Sequence, residues 1–432
     1  MKAEKKASFA LFLFVITVAF LPANFVHAIE VAETIPVGTN PQGIAYDSGM
    51  GKIYVANNGS NTVSVISDSS NTVIATLTVG NQPACLAYDA AKGEIFVTND
   101  GAGTVSVISD MDMVNPYVAT VEVGTNPNGV ACDSGKGEIF VANWGSNTVS
   151  VISDKNNTVV ATVPVGINPV GVAYDSAKGE VFVANSYYTH DINCGSVSVI
   201  SDRTNKVVAT VPVGLDPYYL TYDSGKGEIF VPNWGDGPRN PPNTISVISD
   251  KSNTVIANVT LPSGFSPWAL AYDSRKGVIF CTTGMFDVNG TIFVISDSNN
   301  LIVANVTQAA IPTGLGYSWT SPLDMFPQYL AEHPLPLTEQ YAGCDPLGIV
   351  YDSAKGDVFV ADNNAGNVSV ISDASLPSPS PSPTATPWAN TSAPKLSVQT
   401  YILVIAIALI AVILCVVAFL VRRRCRSAVA LL

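Results

Sequence analysis

Apolar positions along this chain come in short runs separated by turn residues. Ile53-Tyr54-Val55-Ala56 and Val63-Ser64-Val65-Ile66 carry apolar or small residues on both faces of an extended segment. A sheet wetted on one side would alternate more cleanly, so these runs predict strands packed on both faces. A third run, TVIATLTVG at 72–80, follows a turn of Ser and Asn. The pattern predicts four strands, near 43–46, 52–57, 62–67 and 72–79. The segments between them are rich in Gly, Asn, Asp and Ser, which supply the backbone conformations that hairpins need.

The same unit then returns. YDSGMGKIYVAN, beginning at Tyr46, reappears as YDAAKGEIFVTN from Tyr88, CDSGKGEIFVAN from Cys132 and YDSAKGEVFVAN from Tyr174. YDSGKGEIFVPN from Tyr222, YDSRKGVIFCTT from Tyr272 and YDSAKGDVFVAD from Tyr351 complete seven copies. Their aspartates stand at 47, 89, 133, 175, 223, 273 and 352. A second signature, VISD, ends at Asp68, Asp110, Asp154, Asp202, Asp250, Asp297 and Asp373. Repeats of this length with four short strands each predict a seven-bladed β-propeller. The last VISD is followed by Pro-rich sequence and has no fourth strand, while residues 31–38, VAETIPVG, match the fourth-strand pattern. The N-terminal strand is therefore expected to complete blade seven. Closing the ring removes a free sheet edge. The repeated Asp and Lys of the DSGKG-type segments read as turn chemistry, with Gly where a positive φ is needed.

The ends of the 432-residue chain are of other material. Residues 1–28 begin with Lys2, Lys5 and Lys6, continue with an apolar run and end Val26-His27-Ala28, as a cleaved secretory leader would. An uncleaved N-terminal anchor is the alternative. The propeller is assigned to 29–373. Residues 374–397 alternate Pro with Ser and Thr and read as an extended stalk. Residues 398–421 contain an uncharged stretch from 401 to 421, long enough to cross a bilayer as one helix. Arg422, Arg423, Arg424 and Arg426 follow in the 422–432 tail. The positive-inside rule then puts the tail in the cytoplasm and the propeller outside, as a single-pass cell-surface protein.

The net charge is −13, and the leader and tail are both basic, so the intervening part is more acidic still. Such a surface repels nucleic acid. Of three histidines, His27 lies in the leader, and His190 and His333 lie in insertions, a poor basis for a metal pair. No catalytic motif, metal motif or cofactor motif is found, so no catalytic residue, metal ligand or cofactor is assigned. Acidic residues occur in every repeat, which leaves a calcium-dependent channel site open without singling one out.

Insertions carry the remaining information. Segments 186–196 and 234–243 lengthen the link between second and third strands of blades four and five, and 308–345 joins blade six to blade seven. In an antiparallel blade all three links emerge on one face of the disc, and such a face commonly binds. Neutral drift on a tolerant face is the alternative. Trp144, Tyr187, Tyr188, Trp234 and Trp268 gather there, with Tyr218 and Tyr219 nearby. As exposed aromatics they would anchor a protein or sugar; otherwise each packs on its own loop. Cys85, Cys132 and Cys281 fall on strands and read as small core residues. Cys194 and Cys344 share the insertion face and can form a disulfide outside the cell. Seven glycosylation sequons occur, at Asn58, Asn156, Asn258, Asn289, Asn305, Asn367 and Asn390.

The second-strand motif, Ile53-Tyr54-Val55-Ala56-Asn57 and Ile95-Phe96-Val97-Thr98-Asn99, resembles the core of the YVTN-type β-propeller repeat. The resemblance extends over all seven units and departs at Cys281-Thr282-Thr283 and Asp362, where blades six and seven are expected to be less regular. Pro232 within a second strand suggests a strand end or bulge. YVTN propellers are similar to modules of archaeal surface-layer and other cell-surface proteins. The resemblance implies an envelope module that binds neighbouring envelope proteins or surface glycans. An extracellular propeller enzyme, a lactonase-like hydrolase or a lyase, is the competing expectation.

Overall fold

Two short strands, β1 (His27–Ile29) and β2 (Glu33–Pro36), precede the first complete set of four. That set is β3 (Pro41–Asp47), β4 (Lys52–Asn57), β5 (Thr62–Ser67) and β6 (Thr72–Thr78), paired in that order as an antiparallel blade. The computed structural model describes residues 27–29, 31–111, 116–186, 195–235, 243–283, 290–307 and 346–375, all within one compact unit. Blades two (83–122), three (127–164), four (169–212), five (217–260) and six (267–307) repeat the arrangement. Blade seven takes Pro346–Asp352, Asp357–Asp362 and Asn367–Ser372 from the end of the repeats and β2 from the beginning. Ile35 of β2 stands opposite Val368, so the ring closes as the sequence predicts.

The core lies between blades. Tyr54 and Ala56 of β4 pack with Leu86, Ile95 and Val97 of blade two. Ile53 and Val55 pack on the other side with Phe359, Ala361 and Val368 of blade seven. Successive side chains of a strand point to opposite faces, and here both faces meet a neighbouring blade. This is why the second strands are apolar without alternation. One large side chain per blade, Tyr54, Phe96, Phe140, Phe182, Phe230, Phe280 or Phe359, is fully buried at the equivalent place. The fourth strands form the rim and leave Ile74, Val160, Val208 and Ile256 exposed.

Three details depart from expectation. First, blades six and seven are as regular as the others, with second strands Val278–Thr283 and Asp357–Asp362. The motif positions that differ there keep their partners: Thr283 Oγ1 donates to the Thr291 carbonyl, and Asp362 Oδ2 accepts from Ser369 Oγ. Second, Pro232 sits inside an intact second strand, and the irregularity appears in its neighbour. The first strand of blade five shrinks to Thr221–Asp223, beside a proline that has no N–H to donate. Third, β1 pairs in parallel with the rim strand of blade six, Ala28 beside Asn305, so the expected leader boundary at Ala28 falls inside a strand. The 374–397 stalk, the 398–421 span and the 422–432 tail lie outside the described residues. No helix of the described residues is long and apolar enough to cross a membrane.

Candidate functional site

The two faces of the disc are built differently. On one face lie the links between first and second strands and between third and fourth strands. Each first link is a tight turn with Gly at positive φ, from +63° at Gly51 to +81° at Gly356. Asp47 Oδ1 caps its turn by accepting the N–H groups of Gly49 (2.9 Å) and Met50 (3.0 Å). The same bonds recur at Asp133, Asp223 and Asp352, as turn chemistry requires.

The repeated lysines do something the turn reading misses. Lys92 Nζ donates to the Asp154 carbonyl of the next blade. Lys136 does so to Asp202, Lys178 to Asp250, Lys226 to Asp297 and Lys276 to Asp373. Lys355 of blade seven reaches Asp68 of blade one across the ring closure. In blade one the lysine position holds Met50, and Lys52, two residues on, donates to the Asp110 carbonyl at 2.6 Å. Every blade is thus latched to its successor, and the correction is that these lysines join blades as well as belonging to turns.

Six of the seven joints also hold a phenol beside carboxylates. Tyr88 of blade two donates to Asp110 Oδ2 at 3.1 Å and faces Asp47 of blade one. Tyr174 and Tyr351 repeat this with Asp202 and Asp373. Burial first, and the flanking carboxylates second, hold the Tyr46, Tyr88, Tyr174, Tyr222, Tyr272 and Tyr351 hydroxyls well above the usual phenol range. Burial also raises the carboxyls of Asp68, Asp110, Asp154 and Asp297. At the joint of blades two and three, Cys132 stands where the others have Tyr, and burial pushes its thiol up to about 12.

On the opposite face, the last residue of each second strand organises the turn. Asn57 Nδ2 donates to Thr62 Oγ1 and Ser64 Oγ, and its Oδ1 accepts the Gly38 N–H at 3.1 Å. A Cβ at Gly38 would stand 2.6 Å from Asn57 Cγ, and the same crowding by the strand-end Asn holds at Gly80, Gly124, Gly166 and Gly214, which explains the Gly before the first strands of blades one to five. The segments at 187–194, 236–242, 284–289 and 308–345 all leave from this face, whereas 112–115 belongs to the other. Tyr187, Tyr188, Cys194, Cys344, Asn289 and Asn390 lie outside the described residues.

The remaining aromatic candidates do converge, but inward. Trp234 and Trp268 are each only 5% exposed, so they are not free anchors. Trp268 stacks on Tyr218 with ring centres 4.2 Å apart, and Trp234 meets Tyr218 edge-on. Trp144, half-buried, packs on the same cluster. The physical reason is position: Trp268 falls within a first strand, next to the ring axis, where three blades compete to fill the space.

At the axis the first strands crowd. A Cβ at Gly43, Gly129, Gly171 or Gly348 would come within 2.0–2.4 Å of a carbonyl oxygen in the next blade. Blades two and six carry Cys85 and Ala269 at this position, and blade five carries the much larger Tyr219. Its backbone bridges in parallel to Ala269 of blade six, and its hydroxyl crosses to blade three, donating to Asn128 Oδ1 at 2.6 Å. Cys85 of blade two lies beside the same amide, its thiol raised to about 12 by burial. Thr98 ties the cluster together by donating to the Asn128 carbonyl at 2.7 Å and accepting from the Cys85 N–H. Among the described cysteines only Cys281 is a fully buried core residue; Cys85 and Cys132 sit at the axis and at a joint. The sequence signal for these features is a break in a repeat column: Tyr219 among glycines, Cys132 among tyrosines.

The described sequons differ in setting. Asn156 lies exposed in a turn, and Asn258 lies exposed on a rim strand with its Oδ1 accepting from Ser246 Oγ. Asn58 Nδ2 is engaged by the Pro83 carbonyl, Asn305 is paired beneath β1, and Asn367 is half-buried opposite Pro36.

No protein-family model matches the chain, and no curated protein matches it in sequence. Among solved structures, a chain of Kuenenia stuttgartiensis hydrazine synthase is similar in fold, with a TM-score of 0.60 and 17% identity. The match covers 78% of this chain and 97% of that one, and at this identity the likeness is one of fold alone: this chain is an all-β, seven-bladed propeller.

Proposed function

We propose that the chain is a cell-surface propeller, held by a single span at 398–421 and displayed on the 374–397 stalk. Its insertion face binds envelope proteins or surface glycans. One observation carries this reading: the two faces are unequal. One face is closed by seven interblade latches and tight turns, and the other sends out the long segments, including 308–345. A face braced by short turns has little freedom to adapt to a partner, while long links on a rigid ring are where binding residues concentrate. The resemblance to YVTN-type repeats and the leader-like residues 1–28 support the same reading.

Photo-crosslinking tests it. A crosslinker at Ala102 or Ser146, exposed turns of the insertion face, is expected to capture envelope protein or glycan on intact cells. The same group at Ser70 or Lys155, on the latched face, is expected to capture none. Capture from the latched face alone, or from neither, overturns the assignment.

A further inference from the structure

The turns that join third to fourth strands are built alike, and one of them carries chemistry the others lack. In blade three Asn157 takes a positive φ of +53°, and its N–H donates to the Ser153 carbonyl at 2.9 Å. Asn71, Asn205, Asn253 and Asn300 hold the same position in blades one, four, five and six. The residue before this asparagine can bond to the residue after it. Ser70 and Thr72 share a hydrogen bond at 2.7 Å, and Ser252 and Thr254 share another. In blade three the pair is Asn156 and Thr158, and Thr158 Oγ1 donates to Asn156 Oδ1 at 2.9 Å. In blade six it is Asn299 and Leu301, with no hydroxyl, and Asn299 Oδ1 accepts the Leu301 N–H at 3.1 Å.

Asn156-Asn157-Thr158 is also an acceptor sequence for N-linked sugar. Asn156 and Thr158 are both exposed. The hydroxyl of the sequon is bonded to the amide oxygen, which makes the Nδ2 protons more acidic, and Nδ2 has no partner among the described residues. The bonds that set this arrangement span only residues 153–158, so it needs the hairpin and not the closed ring. The other described sequons lack one element or another. Asn58 is half-buried with its Nδ2 taken by the Pro83 carbonyl, Asn305 lies beneath β1, and Asn367 is half-buried opposite Pro36. Asn258 is exposed, but its Oδ1 is held by Ser246 rather than by its own Thr260.

We propose that Asn156 carries a covalent N-linked saccharide on the latched face of blade three. The donor is a sugar borne on a polyprenyl phosphate or diphosphate outside the membrane. Asn156 Nδ2 bonds to the anomeric carbon as the bond from that carbon to the phosphate oxygen breaks. The lipid phosphate leaves with the electron pair, and the amide proton passes to a base of the transferase. A bulky hydrophilic group at this turn leaves the insertion face bare, which suits a disc that binds through its other side. The site rests on the cell-surface reading above, since the donor lipid must meet the propeller outside the cell.

The test is glycopeptide mass spectrometry on the full chain purified from its own cells, with a membrane-impermeant lysine reagent applied to the intact cells first. The peptide containing Asn156 is expected to carry a saccharide, and the peptide containing Asn58 none. Thr158→Val replaces the hydroxyl with a methyl group and is expected to abolish the saccharide at Asn156. Leu301→Thr gives the equivalent turn of blade six the same pair and is expected to add a saccharide at Asn299. Thr158 and Leu301 are both exposed, so neither change touches the core. A bare Asn156 in a chain that the reagent labels overturns the site alone. A bare Asn156 in a chain that the reagent never reaches overturns the cell-surface reading and the site with it. Occupancy indifferent to Thr158→Val, or a bare Asn299 in the Leu301→Thr chain, overturns the turn geometry as the basis of the site.

Discussion

The Tyr219 hydroxyl of blade five donates to Asn128 Oδ1 of blade three at 2.6 Å, across the axis of the ring. It joins two blades that are not neighbours. Tyr219→Phe keeps the ring and removes the donor, so it is expected to destabilise the propeller by about 1 kcal/mol. Tyr219→Gly restores the residue used in four other blades but leaves blade five without its cross-brace, and is expected to cost more. Urea unfolding of the two variants measures both.

The latches make a second prediction. Lys52 is the most buried of the latch lysines that the structure brings to a joint, and it offsets the Asp110 carboxylate as well as bonding a carbonyl. Lys52→Met is expected to cost about 2 kcal/mol, since it strips a charge-assisted bond and leaves two buried carboxylates facing each other. Adding Met50→Lys to that variant restores the arrangement of the other six blades and should recover most of the loss. Failure of the double variant to recover would show that blade one requires its own geometry.

Stability is expected to rise on mild acidification. The Asp68, Asp110, Asp154 and Asp297 carboxyls are raised in the fold, chiefly by burial. Between their raised values and the unfolded value near ~3.9, the folded chain binds more protons than the unfolded one, so unfolding becomes harder as pH falls. The melting temperature should therefore be higher at about pH 5 than at about pH 7.5. A flat or opposite trend would mean that carboxylates held below their ordinary range dominate instead.

The alkaline limb has the same sign. The six joint phenols are raised above the unfolded value of roughly 10, so their contribution is complete below that pH and is lost above it. Tyrosine ionisation, followed by ultraviolet absorbance, is expected to coincide with cooperative unfolding. Ionisation of these phenols near their ordinary value in an intact fold would refute the joint geometry.

Ring closure and the aromatic cluster complete the set. Ile35 is buried against blades one and seven. Ile35→Ala is expected to cost about 2–5 kcal/mol and to open the Ile371 region to protease. Trp268→Ala is expected to cost about 3–5 kcal/mol in stability, because the side chain is core. Loss of partner binding in a Trp268→Ala chain that keeps native stability would restore the reading of this residue as a surface anchor.

The repeat itself determined the ring. Seven copies of one apolar pattern, an orphan third strand at Ser372 and a matching strand near Ile35 leave a closed seven-bladed disc as the economical arrangement, and strand alternation alone separates the two faces. The role of Gly51 and Asp47 was likewise legible, because turns are local and depend on residues close in sequence. What the blades do to each other was not. Lys355 and Asp68 lie at opposite ends of the repeats, and their meeting depends on the angle between adjacent sheets. Trp234 and Trp268 look like loop aromatics in one dimension and become core in three, because the first strands converge on the axis. Tyr219 marks the same limit: its column shows that a glycine was replaced, but only the width of the channel decides that a phenol reaches Asn128 on the other side.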